Sequence, residues 1–153
     1  MTHTPSSSNR IALALFVLRL GIFIVLAVWT LDKFMRPEHA AAVFNHYYGL
    51  AGLGTTLAYT LATAETILLI AFLLGFMPRL TYGIVLLMHG VSTLASFQQY
   101  LHPFENNNLL FFAAWPMLAA CFALYILRDF DTWRISTRSL SCLCHCKNKI
   151  ENN

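Results

Sequence analysis

Between Ile11 and Leu31 the chain runs apolar for 21 residues, interrupted by a single charge, Arg19. At about 1.5 Å per residue a helix of that length crosses the roughly 30 Å hydrocarbon layer of a bilayer. In hydrocarbon every backbone N–H and C=O must be paired internally, so a run like this has helix as its only single-segment solution. Three more apolar runs occur. Leu57 to Met77 carries Glu65 as its only charge and stops at Pro78-Arg79; Leu80 to about Phe97 carries His89 near its middle; Leu109 to Leu127 has no charge and one proline, Pro116. The first run is too long for the 7–15-residue core of a secretory signal and lacks a small-x-small cleavage site, so it reads as a retained helix.

Composition agrees. Of the 153 residues, 58% are hydrophobic and 11% charged, against about 45–50% and 25% in soluble domains. A net charge of +3 from ten basic and seven acidic residues is too small for a nucleic-acid footprint. The chain is therefore expected to be all-α: an integral membrane four-helix bundle over residues 11–130, with spans at about 11–31, 57–77, 80–97 and 109–127, an N-terminal tail 1–10 and a basic, cysteine-rich tail 131–153. Between the first two spans, Pro37 at a first helical position and Gly49 at the stop predict a short helix on the outer surface.

Orientation is read from lysine and arginine. Arg10, Arg79, Arg128, Arg134, Arg138, Lys147 and Lys149 fall on one side of four spans, Lys33 and Arg36 on the other. Both termini should then be cytoplasmic. Trp29, Tyr59 and Tyr100 suit the outer interface, and Tyr82, Tyr125 and Trp133 the inner one.

Three ionisable residues lie within spans: Arg19, Glu65 and His89. Each is costly in hydrocarbon and should face the interior and find a partner. Counted from the cytoplasmic ends, Arg19 lies about 12 Å deep, His89 about 13.5 Å and Glu65 about 18 Å, which predicts an Arg19–Glu65 pair with His89 nearby. On the third span Tyr82, His89, Ser92, Ser96 and Gln99 make one polar stripe expected to look inward. Trp115 reaches the level of Glu65, so Arg19, Glu65, His89, Ser92 and Trp115 are the candidate polar cluster. It either glues helices together or lines an amphipathic pocket where a quinone-like ring would pack on Trp115 and Phe23. With no second histidine or carboxylate one turn away, His89 reads as a hydrogen-bonded core histidine rather than a metal ligand. In the tail, Cys142, Cys144, His145 and Cys146 place three thiols and an imidazole within five residues, a set that remains as reduced thiols, suits a soft metal such as Cu(I) or redox sensing, or takes a lipid next to the membrane.

Several short motifs together resemble the DoxX-like small membrane proteins, the group that includes DoxD-type and MauE-like relatives: Leu18-Arg19-Leu20-Gly21, Asp32-Lys33-Phe34, Glu65, Leu73-Leu74-Gly75 with Arg79, and Asn107-Asn108-Leu109. The likeness covers about residues 11–130. Two departures stand out, Thr66-Ile67-Leu68-Leu69 where the family often has glycines, and the cysteine-rich tail. The resemblance implies a four-helix bundle of a bacterial inner membrane associated with quinone- or thiol-linked redox complexes. No haem-ligand pair, CxxC motif or flavin loop is legible in the sequence, so three readings stand side by side. They are a non-catalytic accessory subunit with a membrane or peripheral redox partner, a carrier of a small lipophilic molecule such as a quinone, and a membrane subunit of a thiosulfate:quinone-type oxidoreductase.

Overall fold

The computed structural model describes residues 7–49 and 54–135, and every regular element among them is helical. The helices are α1 (Ser7–Met35), α2 (Pro37–Tyr48), α3 (Thr55–Leu73), α4 (Pro78–Ala95), α5 (Phe97–Leu101) and α6 (Ala114–Ile126). A 3-10 segment, Asn108–Ala113, leads into α6, and a 3-10 turn, Arg128–Phe130, comes after it. Three stretches are long and apolar enough to cross a membrane: Ser7–Met35, Thr55–Leu73 and Asn108–Ile126. Of the four expected spans, the third is the exception. Arg79, Thr81, Tyr82, His89, Ser92 and Thr93 make α4 too polar to qualify alone, although it packs as closely as the others.

α1 lies against α3 and α6, and α4 lies against α6 and α3. Leu15 and Ile22 of α1, Phe72 of α3, Tyr82 and Val85 of α4, and Cys121 and Leu124 of α6 meet in the centre. The outward faces are apolar too, with Val28, Ile67, Leu87, Leu94 and Phe122 all more than half exposed, a surface suited to lipid rather than water. The short helix expected between the first two spans is α2. Pro37 opens it, and Gly49 closes it in the left-handed conformation (φ +67°) with its N–H on Asn45 O.

The entry to α6 departs from a plain α-helix for a local reason. Pro116 has no N–H to offer the carbonyl one turn earlier, at Phe112, and its ring crowds that carbonyl, which falls within the six residues Asn108–Ala113 that tighten into 3-10 geometry. Asn107, in the left-handed region at φ +64°, starts that segment, and Asn108 Nδ2 donates to His102 O at 2.9 Å.

The turn between α3 and α4 sets the level of everything at that end of the molecule. Gly75 takes φ +66° and donates to Phe72 O at 3.0 Å, while Phe76 N reaches Ala71 O at 2.9 Å. These two bonds are a Schellman stop, which asks for glycine at this position. Space demands glycine as well: a Cβ there would lie 2.5 Å from both Arg134 Cβ and Arg19 Nη1. Arg19 is therefore level with this turn, and α1 continues about 18 Å beyond it toward its own N-terminus.

Gly75→Ala is accordingly expected to destabilise the protein by about 2–4 kcal/mol, the left-handed backbone and the collision adding. Gly49→Ala shares the backbone conformation but meets nothing within 4 Å, and should cost only about 1–2 kcal/mol. Unfolding by SDS titration from mild detergent measures both. Equal losses would show that the collision is relieved.

Candidate functional site

Arg19 carries the most demanding burial problem in the chain, at 1% exposure in the centre of an apolar helix. Its guanidinium is engaged by two other elements. Nη1 donates to Asp131 Oδ2 at 2.7 Å and to the Tyr82 hydroxyl at 2.8 Å, and Nη2 donates to the Trp133 carbonyl. Tyr82 in turn donates to Asp131 Oδ2 at 2.6 Å. The partner of Arg19 is thus Asp131, not Glu65. Asp131 is 0% exposed, inside the molecule rather than in a tail.

What brings Asp131 there is the chain after α6. Arg128–Phe130 turns back across the end of the helices, and Ile135 N donates to Leu74 O at 3.0 Å, tying the returning segment to the α3–α4 turn. Trp133 leans on Phe16 with ring centroids 5.7 Å apart, and the Arg19 guanidinium lies 5.4 Å from the Phe16 centroid. The local backbone sends Asp131 inward while Phe130, Thr132 and Trp133 remain exposed. Tyr82, expected at the inner interface, is instead buried at 1% beside them.

Glu65 sits about 15 Å from this level along α3. Its Oε2 accepts from Lys33 Nζ at 2.7 Å and from Thr30 Oγ1 at 3.1 Å, so it ties α3 to the far end of α1. Lys33, expected as an outer-loop charge, belongs to α1 and is spent on this contact. The neighbouring residues have partners of their own. Asp32 holds Arg36 and His39, whose Nδ1 lies 2.6 Å from Asp32 Oδ2, and Phe34 stacks on Tyr59 at 6.2 Å. The Lys33 and Glu65 side chains remain 16% and 20% exposed.

His89 forms a third, separate contact. Its Nε2 lies 3.1 Å from Ala114 O and 3.5 Å from Thr93 Oγ1, so it joins α4 to the start of α6. Arg19, Glu65 and His89 therefore do not converge; among the described residues no hydrogen bond or ion pair links any two of them. The stripe on α4 also needs correcting. Ser92 is exposed and Thr93 is buried, because ten residues from Tyr82 falls about 80° short of three turns whereas eleven falls about 20° past them. Trp115 is 47% exposed and packs against Tyr100 at 5.7 Å, and no hydrogen bond joins it to Glu65 among the described residues. Among the described residues no group of three or more histidine, cysteine, aspartate or glutamate side chains is placed to hold a metal. Cys142, Cys144, His145 and Cys146 lie outside the described residues.

The residue that sequence reasoning missed is Asp131. A signal was present, since Asp131 sits between Phe130 and Trp133 just past an apolar run, at the end where an intramembrane arginine lacked an acid. Comparisons with protein-family models, curated proteins and solved structures return no match.

The pairing is directly testable. Arg19→Leu and Asp131→Leu should each cost about 3–5 kcal/mol, because each strands a buried charge, and the double variant should recover a large part of the loss. Arg19→Leu with Glu65→Leu should instead be additive, as for sites without a shared partner. SDS-titration unfolding of the five variants decides it, and additivity in the Arg19/Asp131 cycle would refute the pair.

Proposed function

We propose that the chain is a DoxX-like four-helix bundle of a bacterial inner membrane, both termini cytoplasmic, acting as a non-catalytic accessory subunit of a quinone- or thiol-linked redox complex. The observation that carries this reading is how the polar groups of the membrane region are used. Arg19, Glu65 and His89 each join two helices or a helix and the returning segment. A membrane protein whose intramembrane charges all tie its own elements together is built to hold a shape and offer its outside to a partner.

The orientation gains support from how the cations are paired. At the α2 end, Lys33 and Arg36 are each neutralised by a carboxylate, Glu65 and Asp32. At the opposite end Arg79, Arg128 and Arg134 have no carboxylate within ion-pair distance among the described residues. The larger number of lysines and arginines at that end supports placing it on the cytoplasmic side.

One observation favours a second reading, that of a carrier for a small lipophilic carbonyl compound such as a quinone. The Lys33–Glu65 pair stays partly accessible, and the next residue of α1, Phe34, stacks on Tyr59 of α3. An ammonium donor next to aromatic walls is the pattern of a pocket that orients an apolar ligand through one carbonyl.

Purification in mild detergent with mass spectrometry of all co-eluting species separates these readings. A stoichiometric protein partner is expected, and the protein alone should show no thiosulfate- or thiol-driven quinone reduction. Turnover abolished by Glu65→Gln would replace the accessory reading with an enzyme, and a bound quinone lost in Lys33→Leu would replace it with a carrier. On intact cells, an impermeant thiol reagent should leave Cys142, Cys144 and Cys146 unlabelled; labelling without lysis would invert the topology.

A further inference from the structure

We propose that the corner formed by the start of α4 and the end of α6 is a binding site for the phosphate of an anionic phospholipid, built from Arg79, Arg128 and Arg134. The three arginines are distant in sequence but are brought to one place by packing that can be traced step by step. α4 and α6 approach closely at Gly83, where a Cβ would lie 3.3 Å from Tyr125 Cε2. Arg79 precedes Gly83 by one turn and so projects from the same face of α4, toward the end of α6. Arg128 lies one turn past Tyr125. Its guanidinium lies 4.8 Å from the Tyr125 ring centroid, and Nη1 donates to Tyr125 O at 2.7 Å. Arg134 closes the corner, its Nη1 donating to Arg128 O at 3.1 Å and its Cβ lying over Gly75.

These contacts fix Arg128 and Arg134 without discharging them. Tyr125 O and Arg128 O are neutral acceptors, and Arg128 Nε is buried with no partner among the described residues. Among the described residues the acids near this corner are two. Asp131 is consumed by Arg19, and Asp129 is exposed and in no ion pair among the described residues. A concentration of guanidinium donors with spare N–H groups matches the bidentate geometry of phosphate oxygens. The first turn of α4 adds its dipole, since Pro78 and Arg79 begin a helix that has no side-chain cap.

The occupant is a lipid rather than a nucleic acid or an acidic peptide because of what continues the surface. Directly along the same two helices, Leu80 and Ile84 on α4, and Ile126 and Leu127 at the end of α6, are 38–53% exposed. Cationic corner and apolar wall in sequence are the shape of a headgroup above its acyl chains, and anionic lipid at a cytoplasmic surface attracts such basic groups. The inference rests on the bilayer placement and cytoplasmic orientation proposed above; it does not depend on the redox partnership.

Native mass spectrometry of the delipidated full chain, titrated with phosphatidylglycerol or phosphatidylcholine, tests it. Phosphatidylglycerol should bind in preference. Arg79 is exposed and makes no side-chain hydrogen bond or ion pair among the described residues, so Arg79→Gln should keep the melting temperature in zwitterionic detergent while weakening phosphatidylglycerol binding about fivefold, the loss of one arginine at an anionic surface. Arg79→Lys should restore part of the loss, and Asp129→Asn should tighten binding. Equal retention of the two lipids, an unchanged affinity in Arg79→Gln, or displacement by millimolar inorganic phosphate would overturn the lipid site. None of these results alters the accessory-subunit reading, which stands or falls on a co-purifying protein.

Discussion

A guanidinium cannot be taken out of water without an acid and several acceptors, and Arg19 obtains its partners from outside its own helix. Asp131 supplies the charge, Tyr82 a hydroxyl that accepts from Arg19 and donates to the same carboxylate, and Trp133 a backbone carbonyl. Because the donors and acceptors come from α1, α4 and the segment after α6, their geometry can be satisfied only when all three elements are in place. A buried ion pair of this kind contributes little net stability compared with apolar packing, since both ions must be desolvated. What it supplies is selectivity, as an arrangement that leaves Arg19 unpaired is far worse than one that is merely looser. Gly75 belongs to the same constraint, its missing side chain leaving room for the Arg19 guanidinium and for Arg134 Cβ.

A second polar tie fixes the other end, and the two ties differ in kind. Arg19–Asp131 is sealed, at 2% and 0% side-chain exposure, whereas Lys33–Glu65 is partly open. The sealed pair closes the end at which α3 turns into α4, where the short irregular segment 131–135 covers Arg19. The open pair joins the same two helices, α1 and α3, as the Phe34–Tyr59 stack. If this chain meets a small molecule inside the membrane, the physical opportunity is at the open tie, because reaching Arg19 would require displacing a segment anchored by a salt bridge, a ring contact and a backbone hydrogen bond.

Much of the fold was legible in the sequence because hydrocarbon imposes a simple rule, and long apolar runs obey it. The start and stop of α2 and the place of the α3–α4 turn were readable from Pro37, Gly49 and Pro78. The polar cluster was not. Depth was counted from Ile11, where the apolar run begins, but α1 overshoots the α3–α4 turn, so Arg19 lies at the level of Gly75 and Glu65 lies far from it. Hydropathy also ends the fourth span at Leu127 and assigns the residues beyond it to a tail, yet the chain turns back there and delivers Asp131 to the centre. Both errors share a cause. A count along one helix carries no information about how far its neighbours extend, and only packing fixes the relative height of two helices. His89 was better served by local reasoning, because the lack of a partner one turn away already argued for an isolated contact, which Ala114 O provides.

The position of α4 illustrates the consequence of satisfying polar groups through neighbours rather than avoiding them. Alone, this helix is not apolar enough to be counted as a span. Its polar groups are nonetheless paired wherever they are buried: Tyr82 by Arg19 and Asp131, Thr81 by Phe76 O, Thr93 by His89 O, Ser96 at its end by Ser92 O, and half-buried His89 by Ala114 O. Thr81, Thr93 and Ser96 bond within their own helix or the turn before it, at a cost in local geometry only. Tyr82 and His89 cannot, and each must wait for α1, α6 or the returning segment. A helix with this division of polar groups is stable in a bilayer only alongside partners that complete it. The chain that best fits α4 is therefore its own remainder, which explains how a segment that hydropathy alone would leave at the surface comes to sit against both α3 and α6.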